Sequence, residues 1–195
     1  MQATKTSGAA VWFDLNFREK LWKRSGGEER AREVIGRILS QVDVLVGNEE
    51  DLQRGLGLRG PEIGGRSRPD PSAFVGMTKD VAARYPHSKI VATTLREVHS
   101  TSRLVWGAVA WINGEVYLSP KLKLDVHDRV VGGDGFASGL FYAFSMGSHR
   151  NGGEAGLGTW PRCSRLFLAT RPWPPLSRFA SWRKAARLAF SADGA

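Results

Sequence analysis

The chain has 195 residues, 42% of them hydrophobic, with a single cysteine and a net charge of +9. That length allows one ordinary domain with a real core, and one cysteine excludes both an internal disulfide and a cysteine-built metal site. No apolar run approaches the ~20 residues of a membrane helix, and the opening residues lack the apolar stretch of a signal peptide, so a reducing, cytoplasmic setting with no membrane partner is expected.

Val11 to Asn16 reads as a buried strand ending in polar residues. Glu28 to Ser40 carries Ala31, Val34, Ile35, Ile38 and Leu39 on a 3.6-residue period and predicts an amphipathic helix. Val42 to Val46 is a second strand, closed by Gly47-Asn48, and Glu49 to Leu56 a short helix. Arg59 to Pro71, rich in Gly, Pro and Arg, is a loop, and Ser72 to Tyr85 a helix capped by Ser72. Lys89 to Leu95 is a third strand. Trp106 to Ile112 and Glu115 to Leu118 flank Asn113-Gly114, a two-residue hairpin signal. Leu122 to Val126 is a further strand, and Gly135 to Met146 the next helix. This order implies an α/β layered fold with a mostly parallel sheet and antiparallel additions.

In such sheets ligands bind beyond the carboxyl ends of the strands. Polar groups fall at four of those ends: Asp14/Asn16/Arg18, Asn48/Glu49/Glu50/Asp51, Thr93/Thr94 and Asp128/Asp134. The last belongs to Asp128-Arg129-Val130-Val131-Gly132-Gly133-Asp134-Gly135-Phe136, where a strand runs into a glycine pair, an aspartate and a helix of small residues. A helix start behind two glycines offers several backbone N–H groups at the positive end of the helix dipole, which attracts phosphate. Asp134 stands where a hydroxyl could hand over its proton. It could equally cap the helix, as the glycines could form a plain tight turn and Arg18 a solvated strand end. The four histidines are not at ligand spacing, Cys163 has no nucleophilic context, and neither a Walker-type loop nor a Rossmann glycine fingerprint is present.

In that order, Asp14-Leu15-Asn16-Phe17-Arg18, Gly47-Asn48-Glu49-Glu50-Asp51, Ala92-Thr93-Thr94-Leu95-Arg96 and Asp128 to Phe136 resemble the PfkB or ribokinase-like carbohydrate kinases. Trp22 after the first motif and the run at 95–100 favour the 2-keto-3-deoxygluconate kinase branch. The resemblance covers residues 9–147 and implies a ribokinase-like α/β/α fold, here incomplete. It implies ATP and Mg²⁺ as cofactors and a sugar acid as substrate, with no nucleic-acid partner; the oligomeric state stays open. By position, Asp134 matches the base that deprotonates the sugar hydroxyl, and Val131-Gly132-Gly133 the anion hole. Arg18 matches the arginine that meets the sugar acid's carboxylate. Asn48, Thr93, Leu95 and Arg96 match the nucleotide-phosphate side, and Asn48 with Asp51 the magnesium-phosphate region.

Two residues depart from the family pattern. Val131 stands for a glycine in the anion hole, where a lost donor costs ~10²–10³ in rate. Asp51 stands for a glutamate and reaches less far. Family members also carry roughly half their chain before the Asp14 strand. Residues 1–147 therefore read as the C-terminal part of a kinase domain, and impaired turnover is expected.

Residues 148–195 read as an irregular basic tail, with at most a short helix over Trp182 to Phe190. Seven Lys/Arg and two Asp/Glu lie in 151–195, so five of the nine excess charges sit there and the body is only mildly basic. Reading one base earlier from Phe167 permits Pro-Gly-Asp-Ala-Ser-Met-Ala-Thr, which resembles the family's C-terminal Pro-Gly-Asp-x-Ser segment and points to an out-of-frame tail. The alternatives are a catalytically inactive, nucleotide-binding remnant and a basic nucleic-acid-binding module driven by the tail.

Overall fold

In the computed structural model, which describes residues 1–60, 71–100, 103–125 and 132–145, the apolar run at Val44–Val46 lies in a sheet covered on both faces. The elements in chain order are α1 (Gln2–Thr6), β1 (Trp12–Asp14), α2 (Glu19–Arg24), α3 (Gly27–Leu39) and β2 (Val44–Asn48). A π-helical turn (Asp51–Gly55), α4 (Pro71–Arg84), β3 (Ile90–Val98) and β4 (Arg103–Ile112) follow. The last are β5 (Glu115–Leu118), β6 (Leu122–Asp125) and α5 (Gly132–Ser145). The expected roles of Asp128 and Val131, most of the expected loop at 59–71, and the tail from 148 lie outside the described residues.

The sheet runs β1-β2-β3-β4-β5, with β6 also on β4. β1, β2 and β3 are parallel, while β4 is antiparallel to β3, β5 and β6. The sheet is thus mixed rather than mostly parallel. The cause is the length of β4: β5 pairs with its residues 109–112 and β6 with 103–106 along one edge. The hairpin turn is as expected, with Asn113 and Gly114 both at positive φ (48° and 103°).

Strand alternation divides the apolar residues between two cores. Leu45, Val91, Leu95 and Val109 join Ala31, Ile35 and Leu39 of α3 and Phe74, Met77 and Val81 of α4 on one face. Val44, Val46, Ile90, Ala92 and Trp106 join Phe136 and Leu140 of α5 on the other. Burial on both faces explains why β2 reads as a continuous apolar run. In α3 the buried residues recur at four-residue spacing, and Glu28 on its outer side pairs with Arg32 at 3.0 Å.

Three boundaries differ from the sequence-based expectation. α2 carries no apolar stripe: Leu21 is exposed, and Glu19 instead pairs with Lys23 one turn on and with Arg54 of the π-helical turn. β3 and β4 run on to the Val98–Leu104 pair, where Val98 is exposed and Leu104 is buried in the core with Trp106 and Leu124. α5 begins at Gly132, so Asp134 lies inside its first turn rather than before it. Among the described residues no helix is long and apolar enough to cross a membrane.

Candidate active site

β1 and β2 end on the same side of the sheet, and α5 starts there. Between them lies a cleft of about 400 Å³ lined by Asp14, Asn16 and Arg18 after β1, Asn48, Glu50 and Asp51 after β2, Thr94 and Arg96 from β3, and Gly133 and Asp134 from α5. Three sequence-distant strand ends and one helix start thus meet, as the polar clusters implied.

The loop after β1 is held both by Leu15 and Phe17, buried in the core, and by hydrogen bonds. Asn16 adopts a left-handed backbone (φ 42°), a conformation asparagine tolerates better than most residues. Its amide bonds to the Asp14 carboxylate. The next amide, Phe17 N–H, donates to Asp51 Oδ1 at 2.9 Å. Asn48 N–H donates to Asp51 Oδ2 at 3.0 Å, and Asp51 N–H returns a bond to Asn48 Oδ1 at 2.9 Å. Arg18 projects at the rim, and among the described residues neither Arg18 nor Arg96 forms an ion pair.

The carboxyls of the cleft are electrostatically distinct. Partial desolvation at the cleft raises Asp14, an otherwise exposed residue, above the usual carboxylate range, and the Asp51 and Asp134 carboxylates add to the rise, against Asn16 N–H and Arg18. Burial likewise raises Asp51 despite its two amide donors and Arg18. Beside the cleft, burial raises Glu49, with Arg96 partly opposing; Glu49 Oε2 is buried with no hydrogen-bond partner among the described residues. Glu19 at the mouth is the opposite case: Lys23 and then Arg54 lower it to about 2.

Asp134 is exposed on the cleft's rim and has no ion pair among the described residues. Its two glycine neighbours differ. A Cβ at Gly133 would meet nothing within 4 Å, so this backbone faces open cleft, as a phosphate cradle requires. A Cβ at Gly132 would stand 2.1 Å from Trp106 Cη2, so Gly132 serves the packing of α5 on the sheet. Val131, the third expected member of the cradle, lies outside the described residues.

The expected nucleotide-side residues are split by the sheet. Arg96 lines the cleft, but Thr93 and Leu95 turn their side chains to the opposite face, where both are buried. Thr94 takes the place assigned to Thr93. The period of two along β3 carried that signal, since 94 and 96 must share a face and 93 and 95 the other. Asp14 was legible only as part of a strand-end cluster, and Trp106 as the start of a strand, whereas it is both buried and part of the cleft wall.

Asn48 and Asp51, expected on the magnesium side, do not fit as direct metal ligands. The Asn48 oxygen and both Asp51 oxygens are already committed to backbone amides. Among the described residues no group of three or more His, Cys, Asp or Glu is placed to hold a metal ion.

Comparison with known proteins bears on the fold. No family model matches the chain. The 2-dehydro-3-deoxygalactonokinase of Haloferax volcanii is 29% identical over 136 residues, which is 70% of this chain and 35% of that protein. Among solved structures, the 2-dehydro-3-deoxygluconokinase of Thermotoga maritima matches with a TM-score of 0.69 and 30% identity over 84% of this chain and 47% of its own. A PfkB family carbohydrate kinase from Listeria grayi matches with a TM-score of 0.71 and 19% identity over 87% and 48%. The chain thus spans about a third of the curated relative and about half of these solved structures. Its fold is ribokinase-like, it resembles the PfkB carbohydrate kinases, and these relatives are phosphotransferases.

Proposed function

We propose that the cleft is one part of the active site of an ATP-dependent sugar kinase acting on a 2-keto-3-deoxy sugar acid, 2-keto-3-deoxygluconate being the first candidate. The observation that carries this reading is the Asp134 carboxylate, exposed at the first turn of α5 and free of ion pairs among the described residues, beside a glycine that opens onto the cleft. A carboxylate so placed can accept a proton from a hydroxyl brought within hydrogen-bond reach. The amides of the same turn offer donors to phosphoryl oxygens at the positive end of the helix dipole.

In this reading the substrate hydroxyl oxygen forms a bond to the γ-phosphorus of ATP. The bond from that phosphorus to the bridging oxygen breaks, ADP leaves with the electron pair, and the hydroxyl proton passes to Asp134. Arg18, on the β1 side, offers a planar guanidinium fork to the sugar acid's carboxylate. Arg96 offers positive charge to the nucleotide phosphates, and Asn48 and Thr94 line the same cleft. Magnesium, when bound with ATP, would supply positive charge to the phosphates; the side-chain oxygens of Asn48 and Asp51 each accept a backbone amide. Because the chain spans about half of its solved relatives, turnover by the 195-residue chain alone is expected to be slow.

The test is incubation of the chain with ATP and 2-keto-3-deoxygluconate, following ADP by a coupled assay and the phosphorylated sugar acid by mass spectrometry. Sugar-dependent ADP release with matching product supports the reading. Nucleotide binding without product points to a non-catalytic remnant, and binding of neither ligand overturns it.

A further inference from the structure

The exits of β1 and β2 are tied together by a single side chain. Asp51 is 4% exposed, and its two oxygens take different partners: Oδ1 the amide of Phe17 at 2.9 Å, Oδ2 the amide of Asn48 at 3.0 Å. Phe17 is the residue before Arg18. Asn48, besides giving its amide, uses its own side-chain oxygen to accept the Asp51 amide at 2.9 Å. One carboxylate thus fixes the backbone on both sides of the cleft floor, beside the proposed carboxylate-binding arginine and at the proposed phosphate-side asparagine.

The surroundings are built for this contact. A Cβ at Gly47 would lie 3.3 Å from Asp51 Cβ and 3.5 Å from Leu15 Cβ, so glycine there lets the π-helical turn settle against the exits of both strands. The left-handed turn at Asn16 sets the next amide toward Asp51. A hydrogen bond from a backbone amide to a carboxylate is stronger than its neutral counterpart, and buried amides left without one are costly.

We propose that Asp51 is a positioning residue that sets the separation and orientation of Arg18 and Asn48, rather than a magnesium ligand. This rests on the reading of the cleft as a kinase site for its consequence on ligands, but not for the clasp itself. An aspartate replaced by asparagine presents an amide donor to one of two backbone donors, so one bond is lost and the other is weakened.

The experiment compares wild type with Asp51→Asn and Gly47→Ala by residue-resolved amide hydrogen exchange, and by separate titrations with 2-keto-3-deoxygluconate and with ATP over a range of Mg²⁺. The amides of Leu45 and Val91, deep in the parallel sheet, report global opening. Exchange at Phe17 and Asn48 should accelerate at least about tenfold in Asp51→Asn while Leu45 and Val91 hold their protection. Affinity for both ligands should then fall together, with the Mg²⁺ dependence unmoved. Gly47→Ala keeps the carboxylate but presses on its Cβ, and the same two amides should accelerate; this variant decides the matter if Asp51→Asn does not fold. Unchanged exchange at Phe17 and Asn48, or a loss confined to the Mg²⁺ dependence of ATP binding, would overturn the proposal. If wild type binds neither ligand, the kinase reading falls while the exchange arm still decides the clasp.

Discussion

Trp106 Cη2 occupies the space in which a side chain at Gly132 would begin: a Cβ built there would come within 2.1 Å of it. The indole therefore sets how closely the start of α5 approaches the sheet, and with it the position of Asp134 two residues on. Gly132→Ala forces α5 or the indole to move, and overpacking of this kind typically costs ~1–3 kcal/mol. Thermal unfolding followed by tryptophan fluorescence should show a lowered Tm. An unchanged Tm would mean that the contact yields freely.

Gly133→Ala should behave differently, because a Cβ there meets nothing. Alanine is also the better helix former, by up to about 1 kcal/mol in a helix interior. Stability should hold or rise slightly. ATP affinity should fall by about tenfold, or ~1.4 kcal/mol, since the methyl enters the space offered to phosphate. Calorimetric titration of the variant checks both halves of the contrast with Gly132.

Glu49 yields a pH prediction. Burial raises its pKa above 4.5, so the folded state holds this proton more tightly than the unfolded chain does. Stability then falls as pH rises from the unfolded value through the folded one, and stays lowered above it. Glu49→Gln has no charge to bury. It should raise Tm at pH 7.5, and the gain should shrink to nothing below about pH 4.5, the ordinary value for a glutamate. A gain of equal size at both pH values would contradict burial of the charge as its source.

Arg18→Lys tests the shape of the charge rather than its presence. A lysine ammonium cannot reproduce the two-pronged contact of a guanidinium with a carboxylate. Affinity for the sugar acid should fall by ~1.5–3 kcal/mol, the range for a hydrogen bond to a charged group. ATP affinity and Tm should not move, because Arg18 is exposed and its hydrogen bond among the described residues is a 3.4 Å contact with the neighbouring Phe17 carbonyl. Equal affinity for the sugar acid in both proteins would remove Arg18 from the substrate contact.

Much of this site was legible because it lies where secondary structure changes. Asp14 and Asn48 close their strands and Asp134 lies in the first turn of a helix, and a sheet of this class collects such ends on one side. Thr93 and Leu95 were misplaced because position along a strand was weighed without its alternation, which turns every second side chain away. α2 escaped notice because charge pairs around Glu19 support it rather than an apolar stripe. The Asp51 clasp was out of reach of a linear reading: Phe17 follows β1 and Asn48 ends β2, and the parallel pairing of those strands brings both amides to one carboxylate.

The role proposed for Asp134 as the base is tested by sugar-dependent ADP release from the 195-residue chain and from Asp134→Asn, with ATP binding measured on both. The wild type should release ADP slowly and only with sugar, and the variant about 10²–10⁴-fold less, at equal ATP affinity, since the replaced group is exposed and without an ion pair among the described residues. Equal rates in the two proteins would contradict it.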